Sequence, residues 1–380
     1  MRADPARAPY GGGVTDLRRR FVAEIERGTG ALPPALAGAF AAVPREAFVA
    51  GGFQRRDGGW VSPGGDGFLD AVYRDDVLVT KLDGGVPVSS SSQPSLMALM
   101  LAALEVGPGD RVLEIGAGTG YNAALLRALG ASVTTVDVQE DVAARARDAL
   151  ESAGIDGVRV LTGDGYEGAP GERFDRAIVT VGVAGVSPRW LAHTGPGPLI
   201  VPVEHAGTHP VLAVRGGPEG GVTASVVCPS GFMSAAGPLL ARHPRSHPGI
   251  APLGTLDRFA ETAPARWPEP LDSLRYRDLW YAAGVWHARA THGGVRGQSS
   301  TFLTLLDDAG TGGAAILPDG SILAGGAEAA RWTGEATEIL DRWESAGHPA
   351  MQSWHITLES TADPPTPIWF PAAWSLTPPA

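Results

Sequence analysis

Three glycines at alternate positions, Gly116, Gly118 and Gly120, follow an acid, Glu114, and an apolar run made by Val112, Leu113 and Ile115. Residues without a Cβ let the chain turn tightly and let a ligand lie against bare backbone. A helix expected over 121–129 adds unpaired N–H groups and a positive dipole end at the same place. The spacing differs from the G-x-G-x-x-G of a dinucleotide site. About twenty residues further on, the run 132–138 ends in Asp137 and Val138, where α/β folds place an acid that accepts hydrogen bonds from a ribose diol. A helix follows over 142–150, so Asp137 also reads as its cap. A third run leads into Gly163, Asp164 and Gly165, a turn whose acid can accept from the exocyclic amine of adenine. A fourth apolar run, 174–180, exits on Thr180.

Strand and helix alternate at this spacing only in folds with right-handed crossovers and a parallel sheet, ligand lying at the carboxyl ends of the strands. Upstream, a helix is expected over 14–27 with Leu17, Phe21, Val22 and Ile25 on one face, and residues 1–14 read as disordered. A further helix opens at Pro94, its buried face carrying Met97, Met100, Leu101 and Leu104. Residues 237–270 turn rich in Pro, His and Arg and read as a linker between a domain over 15–236 and a smaller α+β domain over 271–380. That last part predicts a strand at 300–306, a hairpin at 316–323, a helix at 335–345 and a strand at 354–358. Its many tryptophans, Trp280 to Trp374, would suit a binding surface, although most belong to a core.

The 380 residues carry a net charge of −11, which disfavours nucleic acid or an anionic membrane as the main partner. Lys81 is the only lysine, and Cys228, the only cysteine, sits in an apolar run as a small core residue. No internal disulfide is possible. No apolar stretch is long enough to span a membrane, and the first residues lack a signal peptide, so a cytoplasmic protein is expected. His205 with His209, and His243 with His247, have a metal-like spacing but lie among Gly and Pro, and no metal is expected.

With Glu114 before it, the glycine loop resembles the S-adenosylmethionine (SAM) loop of class I methyltransferases. Other motifs point the same way: Val43 to Phe48, Tyr73 with Asp75, Ser90 to Pro94, Gly163 to Gly168 and Asp175 to Thr180. Their order resembles the protein-L-isoaspartate (D-aspartate) O-methyltransferase family over residues 14–230. The resemblance implies a Rossmann-like, mainly parallel sheet with helices on both faces, and SAM as cofactor. It implies cofactor contacts from Glu114, Gly116, Gly118, Gly120, Asp137, Val138, Asp164 and Gly165. Ser92 matches the family's active-site serine, with Ser90, Ser91, Gln93 and Thr180 beside the substrate. By pattern alone Ser92 reads as a cap of the helix after it; the likeness makes it catalytic, and one hydroxyl can do both.

The chain departs from the family's usual pattern in three places. Ser90 and Ser91 replace Thr-Ile, Glu172-Arg173-Phe174 replaces Ala-Pro-Tyr, and Pro196 interrupts a Gly-Gly turn. The long C-terminal part, with the Ser89–Ser92 run, resembles the branch that accompanies ribosomally made modified peptides such as graspetides, lanthipeptides and lasso peptides. That likeness implies methylation of one Asp carboxylate in a cyclised precursor peptide, leading to aspartimide and then isoaspartate. The alternative is a repair enzyme for isoaspartyl residues in damaged proteins.

Overall fold

The computed structural model describes residues 11–216, 220–241, 259–295, 301–308, 311–361 and 366–376. The chain divides into two compact units, Met1–Thr180 with Ala192–Leu199, and Val181–Leu191 with Ile200–Ala380. In the first, α1 (Gly11–Thr29) meets α2 (Pro34–Ala42) through Phe21 and Phe40, whose rings pack edge-on at 6.1 Å. Next come β1 (Phe53–Gln54), β2 (Trp60–Val61), the short helix α3 (Phe68–Val72), β3 (Leu78–Asp83) and β4 (Val86–Ser91). Those four strands form an antiparallel sheet in the order β2-β1-β3-β4. Helix α4 (Pro94–Leu104) buries Met97, Met100, Leu101 and Leu104.

The alternating part then begins: β5 (Arg111–Ile115), α5 (Tyr121–Ala128), β6 (Ser132–Asp137), α6 (Glu140–Ser152), β7 (Val158–Thr162) and β8 (Arg176–Val179). The strands pair in parallel in the order β8-β5-β6-β7. Strands β5, β6 and β8 are buried along nearly all their length, and a strand covered on both faces reads as an apolar run without alternation. Ile115 lies opposite Val136, and Asp137 opposite Thr162. The exits of β5, β6 and β7 therefore stand side by side along one edge of the sheet.

Helix α7 (Pro188–His193) and strand β9 (Leu199–Pro202) cross two of the three divisions in the chain. In the second unit, β10 (Val211–Gly216) pairs antiparallel with β11 (Val222–Cys228). After them come β12 (Ala260–Ala263), α8 (Ser273–Trp286), β13 (Ala290–Gly294), β14 (Thr301–Leu306), β15 (Gly313–Ile316) and β16 (Ile322–Gly325). The chain closes with α9 (Ala329–Ser345), β17 (Trp354–Ser360) and β18 (Trp369–Leu376). One sheet runs β12-β16-β15-β14-β13, with α9 lying on β15 and β16. Helix α9 buries Trp332, Ala336, Ile339, Leu340 and Trp343, a stripe at the 3.6-residue period. Asp272 caps α8, accepting from the N–H groups of Leu274 and Arg275 at 2.9 Å each.

Several expected boundaries move. Residues 11–14 are helical, while 1–10 lie outside the described residues. Part of the expected linker, 260–263, is β12, paired with β16, and 242–258 lie outside the described residues. Packing does not divide the chain at 236 and 271: β17 and β18 join β11, with Val222 opposite Leu358. Helix α9 starts at Ala329, six residues before the expected 335, and runs through Gly334, since the buried stripe that begins at Trp332 outweighs the modest helix cost of one glycine. Of the tryptophans, Trp280, Trp332, Trp343 and Trp354 are core, whereas Trp286, Trp369 and Trp374 are half-buried.

Candidate active site

The glycine loop needs its glycines for conformation. Gly116, Gly118 and Gly120 take φ of 96°, 52° and 86°, the left-handed region where a Cβ is disfavoured. The Gly116 N–H bonds the Val136 carbonyl at 2.8 Å, tying the loop to β6. A Cβ on Gly118 would stand 3.3 Å from the Ser90 carbonyl oxygen, so the bare backbone lets β4 come close. At the exit of β7, a Cβ on Gly165 would meet Ile115 Cγ2 at 2.9 Å.

Asp137, 8% exposed, accepts from the Gly118 N–H through Oδ2 (3.1 Å) and from the Gln139 N–H through Oδ1 (3.0 Å). Burial raises its pKa, and those two N–H groups work against the rise. Each carboxylate oxygen keeps a further lone pair, leaving room for two more donors. The capping role left open for Asp137 does not hold, since the cap position of α6 is Gln139 and carries no side-chain cap bond. Val138 beside it is 57% exposed, an apolar side chain presented to solvent. Asp164 is exposed, and its Oδ1 accepts from the Tyr166 N–H at 2.9 Å.

Glu114 and Thr180 serve the loop from beneath. Glu114 is fully buried, so it does not line an open cleft. Its Oε1 accepts from Asn122 Nδ2 at 2.7 Å and its Oε2 has no partner among the described residues. Burial pushes its carboxyl up to about 7, against the opposing pull of Thr135 and Asn122. The Thr180 hydroxyl lies 2.6 Å from the Gly116 carbonyl and 3.1 Å from that of Ile115. Its one proton goes to the loop, and its lone pairs remain as acceptors.

The serine run leaves β4 for α4. Ser91 is buried with its hydroxyl unpartnered, whereas Ser90 and Ser92 are half-buried. Capping is not the role of Ser92. The cap position is Gln93, without a side-chain cap bond, and Asp75 supplies the missing acceptor from twenty residues upstream. Its Oδ1 accepts the Ser95 N–H at 2.7 Å and its Oδ2 accepts from Gln93 Nε2 at 3.0 Å. The Gln93 amide, expected beside the substrate, is thus committed to Asp75 and to Ser95 Oγ at 3.1 Å. The Ser92 hydroxyl makes no hydrogen bond to another described residue. Beneath this turn Arg45 is fully buried and donates to the carbonyls of Val72, Arg74, Asp76 and Ser92 at 2.8 to 3.1 Å. Burial lowers its pKa to about 10, so it remains a cation at neutral pH. Arg45 and Asp75 had no role assigned from sequence; the signal available was the adjacent pair of charges, Arg45 and Glu46, inside the otherwise apolar run 43–49.

Lys81 joins β3 to the exit of β6, its Nζ donating to Gln139 Oε1 (2.8 Å) and Asp141 Oδ1 (2.7 Å). Gln139 in turn donates from Nε2 to the Val88 carbonyl on β4 at 3.0 Å. In the departure at 172–174, Glu172 pairs with Arg111 and Arg159. Among the described residues no cluster of three or more His, Cys, Asp or Glu could hold a metal, and no helix is long and apolar enough to cross a membrane.

Parallel strands ending in a glycine loop, an acid and an acid-bearing turn define a class I SAM-dependent methyltransferase, here with an additional C-terminal part. A family model for protein-L-isoaspartate(D-aspartate) O-methyltransferase matches residues 22–234. The chain belongs to that family of SAM-dependent carboxyl methyltransferases. It is 37% identical over 188 residues to protein-L-isoaspartate O-methyltransferase 2 of Pelobacter propionicus, covering 49% of this chain and 75% of that one. With the protein-L-isoaspartate O-methyltransferase of Thermotoga maritima it shares 39% over 173 residues, 44% of this chain and 50% of the relative. A solved protein-L-isoaspartate O-methyltransferase structure aligns with TM-score 0.54 and 26% identity over 93% of this chain and 99% of its own.

Proposed function

We propose that the chain esterifies an aspartate side-chain carboxylate in a modified, cyclised ribosomal precursor peptide, at the turn that carries Ser92. The observation that carries this reading is the approach of the Ser90 carbonyl to Gly118, which sets the serine run against the cofactor loop. Bound SAM supplies a methyl group made electrophilic by a positive sulfur. Asp137 would hold the ribose hydroxyls with its two remaining acceptor positions, Val138 would cover adenine, and Asp164 would accept from its amine. Gly116, Gly118, Gly120 and Gly165 would let backbone stand close to the cofactor, with Glu114 and Thr180 supporting the loop.

A carboxylate with a pKa near ~4 is already ionised at neutral pH and needs no general base. What it needs is to be held in line at near-contact distance. The Ser92 hydroxyl donates to one carboxylate oxygen and leaves the other to attack the methyl carbon. Ser90, half-buried, is smaller than the Thr it replaces, which suits an acceptor confined in a ring, whereas Ser91 is buried beneath it. In the product, the backbone nitrogen of the next residue attacks the ester carbonyl, its proton is lost, and methanol departs to leave an aspartimide. Water then opens that ring to aspartate or isoaspartate.

The second reading, repair of isoaspartyl residues in damaged proteins, is favoured by the alignment over 93% of the chain with a protein-L-isoaspartate O-methyltransferase. Mass spectrometry separates the two. The chain and SAM are offered a generic isoaspartyl peptide and, separately, a cyclised precursor peptide encoded beside the gene. A methyl gain followed by net loss of one water, on the precursor alone, supports the first reading. Methylation of the isoaspartyl peptide with the precursor untouched overturns it in favour of repair.

A further inference from the structure

Holding the acceptor at Ser92 leaves unexplained the concentration of charge under its turn. Helix α4 opens without a cap of its own, and a carboxylate from a distant segment does that work. A fully buried guanidinium gathers four carbonyls, one of them that of Ser92.

We propose that Asp75 and Arg45 are positioning residues of the acceptor site, which together fix the turn at residues 92–95 from two sides. Asp75 holds its far end through the Ser95 N–H and the Gln93 amide. Arg45 holds its near end, because the Nη2 that donates to the Ser92 carbonyl at 3.1 Å also donates to the Asp76 carbonyl at 2.9 Å. The carboxylate and the guanidinium thereby lock residues 72–76 and 92–95 into one piece. With the Gln93 amide and the Ser92 carbonyl committed, the Ser92 hydroxyl is left to meet the acceptor in a fixed direction. A carboxylate attacking in line is sensitive to such direction, since a displacement of about 1 Å can cost roughly a hundredfold in rate.

This inference rests on the acceptor role of Ser92, and the test treats the two separately. Asp75→Asn keeps the size but lets one side-chain oxygen accept where two did. Its kcat/KM for the methyl-accepting peptide should fall about ten- to a hundredfold, while the Kd for SAM, titrated without peptide, stays within about twofold. Glu46→Gln is the control. Glu46 belongs to the same cluster, accepting from Arg18 and Tyr73 and not from the turn, so it should lower Tm and leave peptide kcat/KM unchanged. Arg45→Lys should resemble Asp75→Asn if it folds, and Asp75→Asn decides if it does not. Asp75→Asn at wild-type kcat/KM, with Ser92→Ala impaired, overturns the proposal alone. An equal loss of SAM binding and peptide turnover in Asp75→Asn also overturns it, as a merely structural role. Ser92→Ala at wild-type kcat/KM overturns the acceptor role and the proposal with it.

Discussion

Replacing Glu114 by Gln should stabilise the protein in mild alkali. Burial holds this carboxyl at about 7, against an ordinary 4.5, so the folded chain binds its proton more tightly than the unfolded chain does. The stability it permits is complete below the unfolded pKa, falls as pH rises from about 4.5 to about 7, and is flat above that. The difference between 7 and 4.5 is 2.5 pH units. At roughly 1.4 kcal/mol per unit this costs the wild type about 3 kcal/mol near pH 8. Gln keeps an oxygen for Asn122 Nδ2 and places a donor where Oε2 has no partner, near the equally unpartnered Thr135 Oγ1. Urea unfolding of both proteins, followed by tryptophan fluorescence from about pH 5 to about pH 8, reads the difference. The variant should gain roughly 2–3 kcal/mol near pH 8 and nearly nothing near pH 5. Glu204, also pushed up to about 7 by burial, is common to both proteins and cancels. A variant less stable than wild type near pH 8, or a difference that does not change with pH, would refute the reasoning.

Lys81→Met removes a pair whose Asp141 partner is largely exposed, so stability should change by less than about 1 kcal/mol. It also removes one of the two hydrogen bonds of the Gln139 side chain beside Asp137, and the Kd for SAM should rise by up to roughly fivefold, measured by calorimetry. An unchanged Kd would mean that β6 holds its exit without help from β3. Cys228 is buried, and burial pushes its thiol up to about 12. A thiol reagent should therefore label it only after unfolding in urea, and equal labelling rates in buffer and in urea would contradict that burial.

The parallel sheet was legible because β5, β6 and β8 are covered on both faces and keep their apolar residues consecutive. The placement of Asp137 and the glycines at strand exits was legible because such exits carry residues that a strand interior would not tolerate. Glu114 was not, since strand alternation cannot say whether a side chain faces a ligand or Asn122. Helix α4 misled for a different reason. Local rules look for its cap within a residue or two, and offered Ser92, whereas the acceptor is Asp75, brought in by tertiary folding. The division of the chain failed similarly. Residues 237–270 look like a linker by composition, but β12 pairs with β16 and β17 pairs with β11, and composition carries no record of distant strand partners.

Lys81, introduced as a link between β3 and the exit of β6, is also the one side-chain amine in 380 residues. Reductive methylation with isotope-enriched formaldehyde would therefore place a single side-chain label in the molecule, beside Gln139 and Asp141. Its resonance would report, without any engineered probe, how firmly the antiparallel sheet is fastened to the cofactor edge as SAM is added.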